Sequence, residues 1–236
     1  MKRMLNRIGI IGAMENEVAS IIEASSVIEV KEIASMKFTL ASLYGHEAVI
    51  VQSGMGKVNA GICAQTLINV FQCTSLINSG VAGSLDNRMD IGDFVISLDA
   101  SQHDFDVSPI GFKKGEIPYT GLYAFKADER LVKQAEMAVK EVVPSSKVYL
   151  GRVCSGDQFI IHHSDKQRIV DEFGGLCCEM EGAAIAHVCH LNAVPFVIIR
   201  CISDKPDGSA IMDFEEFSAK AAIQCASVVK KMISAL

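Results

Sequence analysis

The feature that most constrains the fold is an alternation of short, continuously apolar runs with longer segments that have helical apolar spacing. Strand-like runs rich in β-branched residues occupy 7–13, 75–80, 92–97, 147–153 and 195–204, and residues 38–54 have the pattern of a hairpin. Helical spacing occurs at 15–25, 57–71, 128–142, 164–173 and 213–236. Continuously apolar strands are typical of sheets covered on both faces. The sequence therefore predicts a three-layer α/β fold, with a central mixed β-sheet flanked by helices.

Length and charge narrow the class of protein. The 236 residues contain no linker or repeat and fit one domain, 1–236. The net charge of -6 is dispersed, so a nucleic-acid partner is not expected. No apolar run is long enough to span a membrane, and the first residues do not resemble a secretory signal. We therefore expect a cytoplasmic protein whose eight cysteines stay reduced and pack as small hydrophobic residues.

Residues 99–123 interrupt the alternation. They contain Gly, Pro and Asp and have no clear periodicity. A long loop in a compact domain usually has a functional or interfacial role.

Carboxylates and glycine-rich turns follow six predicted strands. In open α/β sheets, ligands bind at the carboxyl ends of the strands. Most of these residues also have ordinary explanations: Glu15 and Glu17 suit the first turn of a helix, and Asp204 suits a turn cap. Glu181 is harder to explain structurally, because it lies between a buried segment and an alanine-rich helix, where an unpaired carboxylate would be costly.

The stretch CCEMEGAAIAHVCH (177–190) could suggest a metal site. Its spacing does not match the paired ligands of structural zinc sites. On a helix, residues 187, 189 and 190 face different directions. We therefore predict no metal and no cofactor.

Seven motifs, in order, carry a resemblance to a known family: IGIIGAMENEV, SGMGKVNAG, INSGVAGSL, IGDFVIS, SGDQFI, EMEGAAIAHVCH and PFVIIRCISD. They span almost the whole chain, which resembles the 5′-methylthioadenosine/S-adenosylhomocysteine nucleosidases of the nucleoside phosphorylase superfamily. GAMENEV is the motif that distinguishes the nucleosidase branch. The resemblance implies a nucleoside phosphorylase-like fold, a homodimer, and hydrolysis of the N-glycosidic bond of a small nucleoside thioether.

The resemblance also implies roles for individual residues. Glu17 would activate water and Asp204 would protonate adenine at N7. Glu181 would hold the ribose hydroxyls. The implied substrate-binding residues are Met14, Met55, Ala82, Gly83, Phe159, Ile160, Met180, Ser203 and Phe214. The partner subunit would complete the pocket with Val107, Ile110 and Pro118.

The sequence departs from the family pattern at two positions, and three alternative functions remain open. Val81 replaces a serine common in the family, and Pro206 removes a backbone N–H after the acid. The alternatives are a phosphorolytic purine nucleoside phosphorylase, a futalosine-type nucleosidase, and a nucleoside-binding protein without activity. Two acidic residues at the first turn favour water over phosphate as the nucleophile, because they would repel an anion.

Overall fold

A computed structural model describes residues 7–205 and 210–236. For residues 210–216 it describes the backbone only. Within the described ranges, the chain forms ten strands and six α-helices. In chain order they are β1 (Ile8–Gly12), α1 (Glu15–Glu23), β2 (Ser26–Ile33), β3 (Met36–Leu43), β4 (His46–Gln52), α2 (Lys57–Asn69), β5 (Ser75–Ser84), β6 (Phe94–Gln102), β7 (Phe125–Lys126), α3 (Glu129–Val142), β8 (Val148–Ser155), α4 (His163–Phe173), β9 (Gly175–Glu179), α5 (Gly182–Leu191), β10 (Phe196–Asp204) and α6 (Ala210–Ser234). A 3₁₀ turn lies at Ser108–Ile110.

The described strands form one mixed sheet in the order β2-β3-β4-β1-β5-β9-β8-β6-β10, with β7 on β6. Strand β10 also pairs with β5, so β5, β10, β6, β8 and β9 close into a ring. Helices α1, α3 and α6 pack together, and α2 packs on α5. The predicted mixed sheet flanked by helices is confirmed.

Local chemistry explains where several helices begin and end. The Asp128 carboxylate accepts hydrogen bonds from the Arg130 and Leu131 amides and starts α3. Helix α4 ends at Phe173 and is capped by Gly174, whose φ of 65° is in the left-handed region that glycine adopts readily. The Glu17 carboxylate accepts a bond from the Met14 amide, so this residue also caps α1.

Strands β2 and β6 and helix α6 are among the elements that differ from the sequence predictions. Strand β2 was not predicted, because its residues are almost all exposed and lack the apolar pattern of a buried strand. Strand β6 continues to Gln102 and shortens the irregular segment predicted at 99–123. Helix α6 begins at Ala210 rather than at 213.

The eight cysteines are all free thiols in the core. Burial raises the pKa of the Cys73 thiol to about 12, so it packs as a neutral group. Within the described ranges, no helix has the length and apolar character needed to cross a membrane.

Candidate active site

One cavity lies where strand ends meet. Its described lining residues are Ala13, Met14, Glu17, Met55, Val81, Ala82, Gly83, Gln158, Phe159, Ile160, Cys178, Glu179, Met180, Glu181, Ser203 and Asp204. The closed ring of strands explains the convergence, because it brings the ends of β5, β8, β9 and β10 around one opening.

Glu17 is buried, and three backbone amides fix its carboxylate. One oxygen accepts from Ala13 (2.6 Å) and Met14 (3.0 Å), and the other accepts from Val81 (3.1 Å). Burial raises the pKa of Glu17, while nearby Arg200 and the amide hydrogen bonds oppose that rise. The result is a held carboxylate with an increased affinity for a proton, which suits a general base.

The absence of a side chain at residue 80 makes room for this carboxylate. A Cβ on Gly80 would lie 2.4 Å from Glu17 Oε1. Gly80→Ala should therefore displace the carboxylate without disrupting the sheet. We expect kcat to fall by about 10- to 100-fold, the usual effect of misplacing a reacting group by roughly 1 Å. Steady-state kinetics and the melting temperature measure the two effects separately.

Gly61→Ala is the matched control, because a Cβ at that helix position meets no atom within 4 Å. It should leave kcat unchanged. Equal kcat values for the two variants would show that the position of the Glu17 carboxylate does not limit the rate.

A buried ion pair supports the site from beneath. The Arg200 guanidinium pairs with the Glu179 carboxylate and donates to Asn78 Oδ1 at 2.5 Å. Glu179 also accepts from the Ser155 hydroxyl and from the Gly182 amide. Removing one partner of such a pair leaves an uncompensated buried charge, which typically costs about 3–5 kcal/mol.

Glu181 lies above this pair and accepts one bond from the Gly56 amide at 2.8 Å. Burial and then the Glu179 charge raise the pKa of Glu181 to about 7, against the opposing charge of Arg200. Part of the carboxyl population is therefore protonated at neutral pH in the free protein. A ligand that donates two hydroxyl groups would favour the ionised form, because hydrogen bonds stabilise a carboxylate.

Asp204 ends β10 and is also buried. Its Oδ1 atom accepts from the Ser203 hydroxyl at 3.1 Å, and its Oδ2 atom pairs with the Lys166 ammonium at 2.9 Å. A Cβ on Gly83 would lie 2.8 Å from Oδ2, so glycine is needed for this close approach. The acid is thus held by a hydroxyl, an ammonium and a glycine backbone.

Most of the residues proposed from the sequence line this cavity. They are Met14, Glu17, Met55, Ala82, Gly83, Phe159, Ile160, Met180, Glu181, Ser203 and Asp204. Val107, Ile110 and Pro118 are not among its lining residues, and Ile110 is 69% exposed. The side chain of Phe214 lies outside the described part of the chain.

Ala13, Gln158 and Cys178 line the wall, and Lys166 touches Asp204 from outside. None of these four was assigned to the cavity from the sequence. Of these four residues, only Lys166 lies in a sequence pattern that could have pointed to the site. It lies three residues before Ile169 in α4, so helical periodicity places its ammonium on the apolar face.

His187, Cys189 and His190 lie apart from this chemistry. The His187 ring stacks on Phe125 with centroids 4.5 Å apart, and Cys189 is buried. Burial and the His190 charge lower the pKa of His187, which favours its neutral form. In the described ranges, no group of three or more His, Cys, Asp or Glu residues could hold a metal ion.

Comparison with known proteins gives one consistent family. The family model described as "Phosphorylase superfamily" matches residues 7–234. A 5′-methylthioadenosine/S-adenosylhomocysteine nucleosidase of Staphylococcus haemolyticus is 39% identical over 230 residues, covering 97% of this chain and 100% of that protein. The enzyme of the same name from Staphylococcus aureus strain Newman has the same identity and coverage.

Solved structures agree on the fold. The Neisseria meningitidis nucleosidase of that name, in complex with methylthio-immucillin-A, superposes with a TM-score of 0.93 at 33% identity, over 98% of this chain and 100% of that one. The futalosine hydrolase of Helicobacter pylori gives a TM-score of 0.93 at 32% identity, with both chains fully covered.

Proposed function

This chain belongs to the 5′-methylthioadenosine/S-adenosylhomocysteine nucleosidase family of the phosphorylase superfamily, and we propose that it hydrolyses the N-glycosidic bond of both nucleosides. The products are adenine and the 5′-thio-substituted ribose. The observation that carries the proposal is the placement of three carboxylates, Glu17, Glu181 and Asp204, in the wall of one mainly apolar cavity.

Asp204 supplies the proton in this mechanism. Adenine leaves poorly as an anion, so protonation at N7 makes it a neutral leaving group. As the C1′–N9 bond breaks, its electron pair moves to the base and the ribosyl fragment becomes oxocarbenium-like. The contacts of Asp204 to Ser203 and Lys166 hold it at the end of β10 while this occurs.

Glu17 acts at C1′ of the ribose. It accepts a proton from the attacking water, and its negative charge opposes the positive charge that develops at C1′. Three amide donors fix its orientation, and its raised pKa strengthens it as a base.

Glu181 accepts the ribose hydroxyls, and Met180 packs on the sugar. These hydroxyls become more acidic as the ring becomes cationic. The carboxylate therefore binds the transition state more tightly than the substrate, which is the condition for a higher kcat.

Water is the nucleophile that the site favours. None of the described lining residues is lysine or arginine, whereas phosphate binding needs cationic or amide donors. The nearby buried cations, Arg200 and Lys166, are paired with Glu179 and Asp204.

A homodimer would complete the 5′ end of the pocket. Apolar side chains of the cavity wall are exposed, among them Met55 (63%) and Phe159 (48%). Exposed apolar patches of this kind mark interaction surfaces. We expect a second copy to cover this patch and to contribute Val107, Ile110 and Pro118 to the thioether pocket.

A futalosine-type substrate is the second candidate. The fold similarity to a futalosine hydrolase supports it. Met14 and Met55 at the cavity favour a thioether, because sulfur and methyl groups pack well on methionine.

A substrate panel tests the function. We expect adenine release from methylthioadenosine, S-adenosylhomocysteine and 5′-deoxyadenosine, with rates independent of added phosphate. Inosine and futalosine should react much more slowly. Appearance of labelled phosphate in the sugar product would contradict hydrolysis, and a faster reaction with futalosine would transfer the proposal to the second candidate.

A further inference from the structure

A lysine is buried against the general acid, although it does not line the cavity. Lys166 is only 1% exposed and lies on the inner face of α4 with Ile169 and Phe173. Burying an ammonium group is costly unless the charge is paired. Its Nζ atom donates to Asp204 Oδ2 at 2.9 Å and to the Lys205 carbonyl at 2.8 Å.

We propose that Lys166 is a positioning residue that orients Asp204 and stabilises the charge that Asp204 acquires when it protonates the base. This inference rests on the proposed function, in which Asp204 is the acid. Lys166 and Ser203 each contact a different carboxyl oxygen, so the carboxyl group is held from both sides. The bond to the Lys205 carbonyl fixes the backbone directly after the acid.

The electrostatic effect follows from the direction of proton transfer. Asp204 takes up a proton as adenine binds, gives it to N7 and returns to the carboxylate that pairs with Lys166 in the free protein, while the electron pair of the C1′–N9 bond moves to adenine. The ammonium of Lys166 faces the carboxyl group on which negative charge develops. In a buried site, a fixed cation stabilises such charge strongly, because little solvent screens it.

A purely structural ion pair would act differently. It would support folding and would affect every substrate of the site equally. A role exerted through the acid should matter only when the leaving group needs a proton. The dependence on the leaving group therefore distinguishes the two explanations.

The test compares Lys166→Met with the wild-type enzyme on two substrates. One is methylthioadenosine, and the other is the 4-nitrophenyl glycoside of 5-methylthioribose, whose phenolate leaves without protonation. We expect kcat for methylthioadenosine to fall by about 100-fold, the lower end of the range for loss of one electrostatic contact. The rate with the nitrophenyl glycoside should remain near the wild-type value. Equal losses on both substrates, or no loss on either, would overturn the proposal.

Three further variants make the result interpretable. Lys140→Met carries the same change at an exposed ion pair and should behave as wild type. Lys166→Gln keeps hydrogen-bond donors without the charge, and replaces Lys166→Met if that variant folds poorly. Asp204→Asn tests the premise: if it releases adenine at the wild-type rate, Asp204 is not the acid, and the part of the proposed function on which the role of Lys166 rests fails. If Asp204→Asn is impaired and the Lys166 variants are not, only the role of Lys166 fails.

Discussion

Asp204→Asn should lower kcat for adenine release from methylthioadenosine by at least ~100-fold, the usual contribution of a general acid. The amide has nearly the same shape as the carboxyl group but cannot donate a proton to N7 in its place. Affinity for the nucleoside should change much less than kcat, because the ribose contacts and the stacking wall remain. Single-turnover rates and equilibrium binding of a non-hydrolysable analogue separate these two quantities.

The same substitution has a structural consequence. It removes the counter-charge of Lys166, which is buried with Asp204. We therefore expect a lower free energy of unfolding, by about 3–5 kcal/mol as for other broken buried pairs. The double variant Asp204→Asn/Lys166→Met should recover part of this stability without recovering activity. That outcome would separate loss of the acid from loss of folding.

Asp171→Asn is the matched control for the acid. Asp171 is exposed on α4 and accepts a bond from Gln167. It should leave kcat and unfolding unchanged. Wild-type activity in a well-folded Asp204→Asn enzyme would refute the assigned role.

Glu17→Gln should lower kcat by about 10³-fold, within the range for loss of a general base. The glutamine side chain cannot accept the proton of the attacking water. It also presents an NH₂ group where both carboxylate oxygens now accept from backbone amides. One buried donor would then face another, at a cost of about 1–3 kcal/mol in stability.

Glu15→Gln is the control on the same turn, because Glu15 is exposed two residues earlier. Denaturant unfolding and steady-state kinetics measure both variants. If Glu15→Gln reduces the rate as much as Glu17→Gln does, the effect arises from the helix terminus and not from a catalytic base. A large kcat loss in Glu17→Gln alone supports water activation by Glu17.

The sheet was predictable where apolar strands are covered on both faces. Strand β10, with nine buried residues, shows this in its sequence alone. Strand β2 does not, because it lies at the sheet edge and is specified by pairing with β3 rather than by burial. The closed ring of strands was also not predicted, since pairing between β5 and β10 joins segments more than a hundred residues apart.

The site was predictable to different degrees. Glycine turns and carboxylates at strand ends indicated which segments meet, and the family resemblance implied individual roles. Neither source predicted that Lys166 pairs with Asp204, or that Gly80 makes room for Glu17. Such contacts depend on the tertiary positions of elements that are far apart in sequence.

The sequence by itself determined the α/β class, the mixed sheet and the set of segments that carry the carboxylates. These properties follow from periodicity and residue type, which act locally along the chain. The tertiary structure alone decided the protonation environment of each carboxylate. Arg200, Lys166 and the backbone amides approach them from other elements, and an electrostatic interaction depends on separation and burial. For this reason Glu181 has a pKa of about 7, whereas nothing in the order of residues around it indicates that value.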